Sequence, residues 1–174
     1  MAGAYVVEPE RKSDERGFFA RTFCRSEFEQ KGLVSEFVQC SVSFNRRAGT
    51  LRGMHYQARP YPETKLVRCT RGRMLDVIVD LRRTSGTFRE WCAVEAGAEN
   101  RCAVYVPQGF AHGFLTLEDD TEVFYQISAF YHPESARGVR WDDPAFAIEW
   151  PFAPRSMSER DAGYPDFDAD SLDI

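Results

Sequence analysis

The residues best equipped for chemistry in this chain are few and scattered. Only three histidines occur among 174 residues: His55, His112 and His132. His55 stands in LRGMHYQ, Leu51–Gln57, directly after Arg52, Gly53 and Met54. A lone histidine near a strand is ordinarily a satisfied core or surface group, but these neighbours add to it. Glycine permits a bulge or a close backbone approach. A bulge at Gly53 would let Arg52 and His55, of opposite parity in a regular strand, face one pocket. The planar guanidinium of Arg52 suits a phosphate or carboxylate. The pairing suggests an anionic ligand next to a base. Lys65, in ETKLVRC, reads by itself as a solvated strand lysine. Tyr125, in EVFYQIS, shares parity with Val123 and Ile127. It is either a core tyrosine with a hydroxyl partner or a buried phenol ready to donate a proton.

The elements that must position these groups are mostly strands. RMLDVIVDLR alternates Leu75, Val77, Val79 and Leu81 against Met74, Asp76, Ile78 and Asp80. CAVYVP and EVFYQIS are further short β-branched or aromatic runs, and turn signals such as TRGR, RTSG, EAGAEN and LEDD separate them. Many short strands predict an all-β sandwich or barrel. Two short helices are expected. RSEFEQKG would be capped by Ser26, with Glu29 three residues on and Gly32 past its end; SMSERDAG would form a turn or two. After Asp161 the acidic tail AGYPDFDADSLDI has no strong period and is expected to be loosely ordered. No repeat or linker divides the chain, so one domain over 1–174 is expected.

With 43% apolar residues, including 14 phenylalanines, the composition is that of a globular protein. The net charge of −5 argues weakly against non-specific nucleic-acid binding. Five cysteines, Cys24, Cys40, Cys69, Cys92 and Cys102, form no C-x-x-C pair and read as buried free thiols of a cytoplasmic protein. Neither a signal-like apolar stretch nor an 18-residue apolar run is present, so no membrane partner is expected.

The stretch VPQGFAHGF resembles the second motif of the cupin β-barrels, a strand end and tight turn followed by His112. The partner motif of metal-binding cupins, His-x-His followed by Glu, has no counterpart. A three-histidine site would need His55, His112 and His132 to converge from distant segments. The reading is therefore a cupin-like jelly-roll barrel with a few short helices and no metal.

Seven segments occur in order: DERGFFARTF, GTLRGMHYQ, KLVRCTRGRMLDVIVDLR, YVPQGFAHGF, VFYQISAFY, GVRWDDPAFAIEWP and SERD. Together they resemble the dTDP-4-dehydrorhamnose 3,5-epimerase family. The resemblance implies a jelly-roll homodimer that works without metal or cofactor on a nucleoside-diphosphate 4-keto-6-deoxy sugar, inverting C3, C5 or both through enolates. It places His55 as the base, Asp161 as the carboxylate orienting it, Lys65 as the cation near O4 and Tyr125 as the acid on the opposite face. It assigns Arg16, Phe19, Gln39, Arg52, His112 and Tyr131 to the nucleotide-sugar site. Arg16 and Arg52 would suit the diphosphate, and Phe19 and Tyr131 the base. N-terminal strands exchanged across the dimer would carry Arg16 and Phe19 to the neighbouring site. Asp76 is either a carboxylate orienting His112 or a plain strand aspartate.

Two departures from the family pattern stand out. Arg21 in RGFFARTF occupies the place of a usual glutamate. The loop QCSVSFNRRAGTLRG is one residue longer than the common version and has Ser41 where asparagine is usual. Both leave the nucleotide and the sugar open. Two other classes stay in view: a metal-dependent cupin enzyme, which bound metal would favour, and a non-catalytic nucleotide-sugar binding module, which would need neither base nor acid.

Overall fold

Short period-two runs pair into two five-stranded antiparallel sheets that face each other, a cupin-like jelly roll. The computed structural model describes residues 1–174. The strands are β1 (Tyr5–Val7), β2 (Arg11–Asp14), β3 (Gly17–Ala20), β4 (Gln39–Asn45), β5 (Leu51–Gln57) and β6 (Lys65–Arg71). Then follow β7 (Arg73–Asp80), β8 (Trp91–Gly97), β9 (Ala103–Val106), β10 (Phe110–Thr116), β11 (Thr121–Ile127) and β12 (Ala136–Gly138). Two short helices, α1 (Arg25–Gln30) and α2 (Glu159–Ala162), complete the regular elements apart from two 3-10 turns. One sheet has the order β1-β9-β6-β11-β4, the other β12-β5-β10-β7-β8, and β2 with β3 forms a separate hairpin. No helix is long and apolar enough to cross a membrane.

Strand β7 shows how the core is built. Its even residues Met74 and Ile78 enter clusters shared with the opposite sheet, Met74 beside Val67, Phe114 and Val123, and Ile78 beside Val104 and Phe110. Its odd residues Val77 and Val79 pack instead with Met54, Val139 and Phe146 on the outer face. The segment after β12 covers that face, and Phe167, Leu172 and Ile174 of the tail join it. The expectation of a loose tail is thereby corrected. The Phe167 amide donates to Asp143, the Arg59 amide donates to the Asp173 carbonyl, and Asp168 caps the last 3-10 turn. Isolated apolar residues dock one by one, without the periodicity that would announce them.

Helix α1 also differs from expectation. Its N-cap is Cys24, in extended conformation and without a side-chain cap, while the Ser26 hydroxyl accepts from the Gln30 amide one turn on. Gly32 does follow the helix end, with φ of +68°. Helix α2 is capped by Ser158, whose hydroxyl accepts from the Asp161 amide. All five cysteines are free; Cys69 and Cys102 are buried, and Cys40 is exposed on β4.

Candidate active site

The site begins with the glycine of LRGMHYQ. In the β5–β10 ladder His112 stands opposite His55, and Phe114 opposite Arg52. Two steps along β10 thus span three along β5, which is a bulge at Gly53 and Met54. Gly53 has φ of +136°, and a Cβ there would lie 2.5 Å from the Gly113 Cα, so no other residue fits without moving β10. The bulge sends Met54 into the outer core and leaves Arg52 and His55 facing the same way, into an open cavity of about 680 Å3 between the sheets.

Asp161 reaches this cavity from the far end of the chain. Thr50 bridges Ser156 in parallel, and the Leu51 amide donates to the Ser156 carbonyl, which lays the start of α2 against β5. Asp161 Oδ1 lies 2.8 Å from His55 Nε2, and its Oδ2 accepts from the Gly53 amide. Burial alone would raise the Asp161 carboxyl. The hydrogen bond and charge of His55, the Gly53 amide and the Ser158 hydroxyl outweigh it and hold the group below its ordinary value. An ionised carboxylate only accepts, so the His55 proton belongs on Nε2. Nδ1 then carries the lone pair, and no protein group bonds to it.

Three further groups line the same cavity. Arg52 is held by Asn45 of β4, whose Oδ1 accepts from the guanidinium Nε at 2.8 Å. Lys65, nearly buried, donates to the His55 carbonyl at 3.3 Å and pairs with Glu63 at 2.9 Å. Tyr125 lies inward on β11; burial, with the charge of Asp76 adding to it, pushes its phenol far above the ordinary value, so it stays protonated at neutral pH. Its ring meets that of His112 edge to face at 6.3 Å.

His112 also lines the cavity, and its Nε2 lies 2.8 Å from Asp76 Oδ2. Of the two readings of Asp76, the geometry is that of the orienting carboxylate. Tyr131 lines the cavity mouth and its amide donates to Gln39 Oε1 at 2.6 Å, so Gln39 supports the site from outside the lining. Gln57 clamps the same mouth. Its side chain donates to the carbonyls of Tyr61 and Phe130 and accepts from the His132 amide. Arg16 and Phe19 do not line the cavity of their own chain. Arg16 pairs with Asp14 on the exposed β2–β3 hairpin, and Phe19 is 71% exposed. His132 stacks flat on Tyr61 at 3.4 Å and pairs with Glu134; no three His, Cys, Asp or Glu side chains converge in metal-binding fashion.

Cavity or supporting residues that escape sequence reasoning include Glu63, Asn45, Arg137 and Arg160. Two carried a signal. Glu63 lies two positions before Lys65, and Arg160 adjoins Asp161 in SERD. As built, the cavity can take a proton from a carbon acid, steady the resulting anion with a cation and return a proton from a phenol, while guanidinium groups hold an anionic handle.

Known proteins resemble this chain in both sequence and structure. A family model described as dTDP-4-dehydrorhamnose 3,5-epimerase matches residues 1–169. The enzyme of that name from Methanothermobacter thermautotrophicus is 48% identical over 151 residues, 87% of this chain and 80% of the relative. The crystal structure of the Bacillus anthracis dTDP-4-dehydrorhamnose 3,5-epimerase with TDP and PPi bound superposes with a TM-score of 0.92 at 39% identity, over 95% of this chain and 94% of that one. A 3'-monoepimerase from Streptomyces bikiniensis in complex with dTDP-quinovose gives a TM-score of 0.87 at 37% identity, over 94% and 83%. By sequence and by structure the chain belongs to the dTDP-4-dehydrorhamnose 3,5-epimerase family of isomerases.

Proposed function

We propose that the protein is a cofactor-independent epimerase that inverts C3, C5 or both in a nucleoside-diphosphate 4-keto-6-deoxy sugar. One observation carries the reading: a histidine with one nitrogen tied to a buried carboxylate, and the other free, shares a cavity with a lysine and a protonated phenol. The bound TDP and dTDP-quinovose of the two solved relatives support a deoxythymidine nucleotide sugar.

In this reading His55 Nδ1 takes the proton from the carbon next to the C4 ketone. The C–H electron pair moves into the ring, and charge develops on O4, where Lys65 stabilises it. A positioned base contributes about 10²–10⁴-fold. Tyr125 then delivers its proton to the same carbon from the opposite face, and the ketone reforms with inverted configuration. His55 gives its proton to solvent, and the phenolate regains one. Arg52 and His112 hold the diphosphate side, and Tyr131 borders the base. Tyr125→Phe is expected to keep much of the proton exchange and lose most of the inversion; an equal loss of both would remove the phenol from the acid role.

The proposed assembly is a homodimer. Strand β4 ends its sheet with Val42 at 59% and Phe44 at 45% exposure, an apolar edge that a second copy would cover. The β2–β3 hairpin carries Arg16 and Phe19 away from their own cavity, as a hairpin serving the neighbouring site would. Mixing Arg16→Ala and His55→Ala chains would then restore activity through hybrid dimers, to about a quarter of the wild-type sites by random pairing; no recovery in proven hybrids would refute the exchange.

Incubation with dTDP, CDP, GDP and UDP forms of a 4-keto-6-deoxy sugar in D₂O, followed by NMR, tests the function. Deuterium is expected at C5, C3 or both. Its absence from every form would refute the epimerase.

A further inference from the structure

Glu63 is the one carboxylate besides Asp161 among the residues lining the cavity, and it plays no part in the proton transfers above. Its side chain is 11% exposed and its Oε1 lies 2.9 Å from Lys65 Nζ, itself 10% exposed. The backbone of the next residue is pinned. The Thr64 amide donates to the Ser128 hydroxyl at 2.8 Å, and the Ser128 amide donates to the Thr64 carbonyl at 3.0 Å. Glu63 and Lys65 are therefore a fixed pair, an acceptor and a cation side by side on one wall. No protein hydrogen bond reaches the carboxylate beyond the lysine, and neither of its oxygens is sealed from the cavity.

We infer that Glu63 determines specificity by accepting a hydrogen bond from the sugar hydroxyl next to the ketone, so that the enzyme selects 4-keto sugars with a free 3-hydroxyl. This rests on the epimerase reading. If Lys65 faces O4, its partner carboxylate faces a substituent on a neighbouring carbon. A carboxylate needs a donor. On one side of C4 a 4-keto-6-deoxy sugar offers the 3-hydroxyl; on the other it offers a C–H, a methyl group and the ring oxygen, none of which donates. The ion pair therefore also dictates which way round the ring lies, with the hydroxyl at Glu63 and the ketone oxygen at Lys65. A sugar lacking the hydroxyl leaves the carboxylate with the lysine alone and forfeits a charge-assisted bond.

The test compares dTDP-4-keto-6-deoxyglucose with its 3-deoxy counterpart, reading deuterium exchange at C5, a position both possess. Wild type is expected to favour the 3-hydroxy sugar by about 10–100-fold in kcat/KM, the worth of a hydrogen bond to a charged group. Glu63→Ala should bring that ratio close to one, whatever it does to the absolute rates through Lys65. Glu63→Gln, which keeps an acceptor oxygen of the same shape, should preserve part of it. An unchanged ratio in Glu63→Ala, or a wild type indifferent to the hydroxyl, would overturn the inference while leaving the epimerase reading intact. A wild type that exchanges neither sugar would remove that reading and the inference with it.

Discussion

Two histidine–aspartate pairs sit on neighbouring strands of the same sheet, with the same 2.8 Å separation from Nε2 to carboxylate, yet they are built for different work. His55 is 39% exposed in its side chain and is tied to an aspartate that a distant helix delivers. His112 and Asp76 are 4% and 1% exposed, and both lie within the β7–β10 ladder. The first pair has a nitrogen open to the cavity and an aspartate satisfied at both oxygens. The second is nearly inaccessible, with only His112 reaching the cavity lining, and Asp76 Oδ1 has no partner at all. In the proposed reading, an identical hydrogen bond serves a base in one place and a fixed binding group on the cavity wall in the other. Access and support, rather than residue type, separate the two.

The sharpest break of that contrast is in the aspartates. Asp161→Asn removes the acceptor that keeps the proton on Nε2 and should lower kcat for exchange by about 10²-fold or more with little change in KM, because the imidazole is left in the wrong tautomer. Steady-state exchange rates check it. Asp76→Asn should show the converse, a loss of about 1–3 kcal/mol in denaturant unfolding from a disturbed buried pair, with a smaller effect on kcat. If Asp76→Asn silences exchange and Asp161→Asn does not, the roles of the pairs are reversed. A subtler effect concerns acid. The Asp161 carboxyl is depressed in the folded protein, so its contribution is present above the ordinary carboxylate value near 4 and is lost as pH falls through the lower folded value. Wild type should therefore lose more stability than Asp161→Asn on acidification through that range, as unfolding curves at stepped pH would register.

Much of this arrangement is legible in the sequence. The period-two runs around Val77, Val104 and Tyr125 became strands, and Gly53 announced the bulge that turns Arg52 and His55 to one side. Asp161 was legible only through family resemblance. It lies 106 residues from His55, and the Thr50–Ser156 bridge that joins them leaves no local pattern. The order of the tail is hidden for a related reason, since Phe167, Leu172 and Ile174 dock singly on the outer face of the β5–β7 sheet. Ser26 has the residue type of a cap, but extended backbone falls at Cys24, which starts the helix earlier. Glu63 and Asn45 act through partners in space, Lys65 and Arg52, and composition alone does not reveal such pairings.

The most direct measurement follows deuterium from solvent into the carbon next to the ketone of dTDP-4-keto-6-deoxyglucose, by NMR, for wild type, His55→Asn and His112→Asn. If the open pair is the base, wild type and His112→Asn incorporate deuterium and His55→Asn falls by about 10²-fold or more. Exchange in His55→Asn at the wild-type rate would contradict that assignment.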